Sequence, residues 1–143
     1  MRSTTGMPFL DTNILLYAIS RAPEEAARSA CALRLLDQDD CVLSVQVLQE
    51  FYVQATRSTR ADPIEHRQAV DLIESWLRFL VQDLTVPILR AALVSRDRYR
   101  ISYWDAAIIE AARAAGCREV LSEDLQDGQN YEGVRVANPF RGL

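Results

Sequence analysis

Short apolar runs alternate along the chain with longer stretches whose apolar residues recur at helical spacing. Residues 8–10, 41–43, 79–81, 119–121 and 134–136 are each apolar enough, and short enough, to be one buried strand. Between them the spacing predicts helices. One covers 12–20, capped by Thr12 and Asn13, and a second opens at Pro23 and runs to about Leu36 on Ala26, Ala27, Ala30, Leu33 and Leu36. Ser44 caps a third to about Thr56, with Val45, Leu48, Phe51, Tyr52 and Ala55 on its apolar stripe. Asp62-Pro63-Ile64-Glu65 has the capping-box pattern and predicts a helix to about Trp76. The stretch 86–99 predicts a helix with Leu89, Ala92 and Leu93 inward, and Ser102-Tyr103-Trp104-Asp105 opens the last one, ending at Gly116. Strands that alternate with helices throughout predict an α/β fold with a parallel sheet of about five strands and helices on both faces. No repeat, linker or low-complexity tract divides the chain, so a single domain is expected over 1–143. Residues 1–6 read as an extra or disordered N-terminal segment, with Met7 an alternative start.

Several acids interrupt this pattern where ligand sites are usually built. Asp11 falls between the first strand and the first helix, at a strand's carboxyl end, where open α/β sheets place their ligands; the plain alternative is a capping acid. Asp105 shares a helix face with Ile108, Ile109 and Ala112, which puts a carboxylate in line with buried residues. A capping box with Ser102 is its structural alternative. Asp124 follows the fourth strand, with Glu123 and Asp127 as rivals for its place, whereas Glu50 lies off the apolar stripe of its helix and reads as solvated.

Composition narrows the chemistry. The 16 basic and 20 acidic residues argue against a protein that blankets nucleic-acid backbone, though not against one that grips a short piece of it. All the basic residues are arginine, so Schiff-base and P-loop lysines are excluded, and the single histidine, His66, excludes two-histidine metal motifs. Three cysteines without CxxC spacing read as buried thiols in a reducing compartment. No apolar run approaches the roughly 20 residues of a membrane span. The N-terminus lacks a secretory h-region, so a cytoplasmic protein is expected. Carboxylates, hydroxyls and arginines are the tools left. Unit charges about 4 Å apart repel by roughly 4 kcal/mol at an effective dielectric of 20, so converging acids must stay protonated or share a cation. All-oxygen donors select a hard ion, Mg²⁺ or Mn²⁺.

Phe9-Leu10-Asp11-Thr12-Asn13, Ser44-Val45 with Glu50-Phe51, Ser102-Tyr103-Trp104-Asp105-Ala106 and Leu121-Ser122-Glu123-Asp124 resemble, in order and spacing, the four acidic motifs of PIN domains. Together with Gly133-Val134-Arg135-Val136 and Asn138-Pro139-Phe140, they make the chain after Met7 similar to VapC-type toxins of toxin–antitoxin pairs. The resemblance implies a three-layer α/β/α sandwich and a Mg²⁺- or Mn²⁺-dependent endoribonuclease, usually a homodimer silenced by a cognate antitoxin. It implies that Asp11, Glu50, Asp105 and Asp124 form the catalytic and metal-binding quartet, supported by Thr12 or Asn13 and by Ser122. On this reading Asp11 and Asp105 are the principal ligands. Glu50 acts through a water, and Asp124 completes the site or holds a second ion. Arg96, Arg98 and Arg100 are candidates for steering the RNA backbone. Two other functions remain open at this point. One is a catalytically silent PIN-like module that binds RNA or protein. The other is a metal-dependent phosphohydrolase of small substrates, although Asp11-Thr12-Asn13 lacks the second aspartate of the DxD pattern.

Overall fold

The computed structural model describes residues 6–143; apart from Gly6, the expectation of an extra or disordered segment at 1–6 lies outside the described residues. The strands are β1 (Phe9–Leu10), β2 (Val42–Ser44), β3 (Leu80–Gln82), β4 (Glu119–Leu121), β5 (Asn130–Tyr131) and β6 (Val134–Ala137). They form one sheet in the order β3-β2-β1-β4-β6-β5, parallel except where β5 pairs with β6. Five of these match the apolar runs to within a residue. β5 was not expected: two residues offer no alternation, and the hairpin depends on the turn, where Glu132 and Gly133 both adopt positive φ.

The helices are α1 (Thr12–Ala18), α2 (Ala26–Asp37), α3 (Val45–Ala55), α4 (His66–Trp76), α5 (Val86–Tyr99) and α6 (Tyr103–Ala114). They pack in two groups, α1 to α4 and α5 with α6, around the sheet, which gives the three-layer α/β/α arrangement. Phe9, Leu10, Val42, Leu43, Val120 and Val136 are fully buried between the layers with Ile14, Leu15, Val47, Phe51 and Ile109. No helix among the described residues is long and apolar enough to cross a membrane.

Three helical expectations need correction. α4 starts at His66, with Glu65 as its N-cap and the Glu65 amide donating to Gln68 Oε1, so Asp62-Pro63-Ile64-Glu65 leads into the helix without forming the predicted box. On α2 a 3-10 turn at Pro23–Glu25 shifts the register, and Ala32 and Leu36 are buried while Ala26, Ala27, Ala30 and Leu33 are exposed. On α5 the inward residues are Ile88, Ala92 and Ser95, and Leu89 and Leu93 face outward. Small residues win that contact because Ala92 meets Ala106 and Ala107 of α6, a close approach that a leucine would block. The same interface buries an acid the sequence did not flag. Glu110 accepts from Ser95 Oγ at 2.7 Å and from Arg113 Nε at 3.0 Å, while Arg113 also donates to the carbonyls of Tyr131 and Glu132. This network ties α5, α6 and the β5–β6 hairpin together and has a structural role. Cys41 and Cys117 are buried thiols and Cys31 is half-buried.

Because β1 lies between β2 and β4, the chain proceeds outward in one direction first and in the other later. The carboxyl ends of β1 and β4 therefore flank a topological switch point, the crevice where doubly wound sheets bind ligands.

Candidate metal centre

Asp11 stands at that crevice. Asp11, and not the expected Thr12 and Asn13, is the N-cap of α1, its Oδ1 accepting from the Thr12 amide at 2.7 Å, and its own amide continues the ladder by donating to the Leu121 carbonyl. Its Oδ2 accepts from Ser122 Oγ at 2.7 Å and, more loosely, from Asn13 Nδ2 at 3.4 Å. Only 7% of Asp11 is exposed. Burial pushes its carboxyl up to about 6 from the ordinary 3.8, the hydrogen bonds from Ser122 and Thr12 oppose the rise, and the charges of Asp124 and Glu50 add to it.

Ser122, fully buried, organises the β4 side. Its hydroxyl donates to Asp11 and accepts from the amides of Asp124 and Leu125 and from Asn13 Nδ2, which turns the chain so that Asp124 follows at the rim. Asn13 Nδ2 also reaches Asp124 Oδ2 at 3.2 Å, and Asn13 Oδ1 accepts from the Glu123 amide. Glu50 enters from α3, its Oε2 accepting from Thr12 Oγ1 and its Oε1 from Gln46 Nε2, both at 2.8 Å. Asp105 enters from the first turn of α6, where its amide is capped by Ser102 Oγ. Burial raises the half-buried Asp105 carboxyl, a hydrogen bond with Ser102 opposes the rise, and Asp124 and Glu50 add to it.

These four acids line one cavity of about 100 Å³. Glu50 is half-buried and faces it, contrary to its helical-wheel position, because the cavity wall opposite α3 is built from α1 and α6. The ambiguity among the acids after β4 is resolved by their partners. Glu123 turns to Tyr17 and to Arg28, whose Nε lies 2.9 Å away; burial pushes its carboxyl up, but these two outweigh it and leave it lowered. Asp127 binds the Asn138 amide and Arg141. Only Asp124 of the three lines the cavity. Arg96, Arg98 and Arg100 do not line it either. Arg98 pairs with Glu132 in the turn before β6, and β6 runs parallel to β4, so this pair sits at the opposite end of the sheet.

The donor set fits a hard divalent ion: oxygen donors only, without histidine or cysteine, and the Asp11 and Asp105 carboxyls, raised chiefly by burial and further by the charges of Asp124 and Glu50, would be relieved by a cation. Among the described residues no three such side chains converge tightly enough to form a ready-made metal cage. Mg²⁺ does not need one, since it keeps several waters and takes one or two carboxylates directly. Sequence reasoning passed over Gln46, which is buried and holds Glu50, and Gln54 and Trp104, which also line the cavity. The signal available was the four-residue spacing of Gln46, Glu50 and Gln54 along one helical ridge.

A family model described as PIN domain matches residues 9–126. No curated protein matches the chain. Several solved structures share its fold. A toxin–antitoxin complex from Klebsiella pneumoniae aligns with a TM-score of 0.69 at 19% identity, covering 93% of this chain and 98% of that one. VapC20 of Mycobacterium tuberculosis, a toxin that cleaves the sarcin-ricin loop, aligns at 0.61 and 24% identity over 81% and 90%. FitAcB from Neisseria gonorrhoeae aligns at 0.58 and 19% over 94% and 99%.

Proposed function

The chain belongs to the PIN domain family, and from that premise we propose that it is a Mg²⁺- or Mn²⁺-dependent endoribonuclease, the toxin of a toxin–antitoxin pair. The observation that carries this reading is the meeting of Asp11, Glu50, Asp105 and Asp124, from four separate segments, around one small cavity. Asp11 and Asp105 would be the principal ligands, and Asp124 would complete the set or hold a second ion. When bound, the ion supplies positive charge beside the phosphoryl oxygen and makes water a stronger acid. Thr12 and Gln46 fix both Glu50 oxygens, so this carboxylate is oriented to hold the attacking water by hydrogen bonding. Water oxygen adds to phosphorus in line and gives up a proton to solvent through Glu50, the bond to the 3′ oxygen breaks, and that oxygen takes a proton from solvent water, leaving a 5′-phosphate and a 3′-hydroxyl. Asn13 and Ser122 hold Asp11 and Asp124 in place throughout.

A cognate antitoxin, a homodimer and a cytoplasmic setting belong to the same proposal; the toxin–antitoxin complex from Klebsiella pneumoniae among the solved neighbours supports the first of these. Single-stranded RNA incubated with the protein is expected to be cut internally in Mg²⁺ or Mn²⁺. EDTA should abolish cleavage and either ion should restore it. Cleavage that persists in EDTA would overturn the metal-dependent reading, and no cleavage with any ion would leave a binding module.

A further inference from the structure

Trp104 precedes Asp105 in the chain, is 64% exposed, and stands on the lip of the acidic cavity. It also lines an adjoining surface cavity of about 300 Å³, walled by α3 through Gln49, Gln54 and neighbours, with Arg57 at its far end. Gln54, Glu50 and Trp104 border both cavities, so the two are continuous. The indole ring meets Tyr103 edge-on at 5.1 Å, and the Trp104 backbone carbonyl accepts from Gln46 Nε2 at 3.5 Å, which anchors the main chain that carries the exposed ring. Arg57 is exposed and makes no ion pair among the described residues. An exposed flat ring, side-chain amides beside it and an unpaired guanidinium beyond match a polymer that alternates flat bases with anionic links.

We propose that Trp104 is the stacking platform for an unpaired nucleobase next to the scissile phosphodiester, with Gln49 and Gln54 at its edges and Arg57 on a flanking phosphate. This rests on the nuclease reading for the position of the scissile bond. It explains why the entrance to the carboxylates is aromatic and polar: a base must leave its own stack to lie there, so the site selects single-stranded RNA over duplex.

The test uses the intact protein in EDTA, where no cleavage competes, with a short single-stranded oligoribonucleotide as probe. Trp76 is buried against Phe51, so quenching by RNA reports Trp104. The oligonucleotide is expected to quench a large part of the emission, and duplex RNA to quench little. Trp104→Ala should weaken binding on the order of tenfold and, in separate cleavage assays with Mn²⁺, place most of the kinetic loss in KM, and Trp104→Phe should recover most of it. An oligonucleotide abasic at the stacked position should lose the same affinity with the protein unaltered. Arg57→Ala should lower the slope of log affinity against log salt by about 0.7. Quenching without cleavage in Mn²⁺ supports the platform and overturns the nuclease reading. Metal-dependent cleavage with KM and emission indifferent to Trp104 overturns the platform alone. An emission shift that follows protein concentration and not RNA also overturns it, since the ring is then covered by a second copy through Leu84, Val86 and Leu89 of the neighbouring apolar cavity.

Discussion

Asp11→Asn is expected to lower the rate of metal-dependent RNA cleavage by roughly a thousandfold or more, equivalent to about 4 kcal/mol of transition-state stabilisation, while the protein stays folded. Asparagine is nearly isosteric, and its Oδ1 still accepts from the Thr12 amide at the head of α1. What disappears is one of the four negative charges that line the cavity. Asp105→Asn should do the same from the α6 side, where the carboxyl is only half-buried and its amide cap on Ser102 is untouched. Circular dichroism and a cleavage assay on the same samples check both halves of this prediction. A fully active Asp105→Asn enzyme would contradict the assignment.

The second large effect concerns stability and has a definite sign. Asp11 holds its proton up to about pH 6 when folded and releases it near 3.8 when unfolded. Between those values the folded protein binds a proton that the unfolded chain does not, so stability falls as pH rises through the window, and the contribution is fully lost above about pH 6. At about 1.4 kcal/mol per pH unit, burying this charge without a cation costs roughly 3 kcal/mol at pH 7.5. Asp11→Asn escapes that cost but cannot accept at Nδ2 the bonds that Ser122 and Asn13 now donate to Oδ2. In EDTA at pH 7.5 the variant should therefore be more stable than wild type by about 1–2 kcal/mol, a gain of several degrees in Tm. Near pH 4, where Asp11 is neutral in the folded protein, the advantage should vanish or reverse. Parallel melts across pH 4–8 check this. A variant advantage independent of pH would mean that Asp11 is not a strained charge.

Most of the framework was legible because short apolar runs and amphipathic stretches have different periods, and five strands and all six helices follow from that difference. The acids were legible in part. Asp11 and Asp124 could be placed because they follow strands, and Asp105 because it shares a face with Ile108 and Ile109. Glu50 could not be placed from its own helix, since its exposure is decided by α1 and α6 on the other side of the cavity; only the family resemblance put it in the quartet. Similarly, α5 offered two apolar faces, and nothing local showed that α6 would demand the one with Ala92 and Ser95. The separation of Asp124 from Glu123 required long-range partners, Tyr17 and Arg28, that sequence spacing does not reveal. Arg98 was one of three arginines expected near the mouth of the site, with a solvated helix end as the alternative, and its pairing with Glu132 takes it away.

The proposed chemistry requires that the carboxylates around Asp11 share a divalent cation. Mn²⁺ titrated into metal-free protein at pH 7.5, with bound and free ion resolved by electron paramagnetic resonance, tests it most directly. Saturable binding to wild type that raises Tm with ion concentration, and is lost in Asp11→Asn, is the predicted result. Equal binding by both proteins, or none by either, would contradict it.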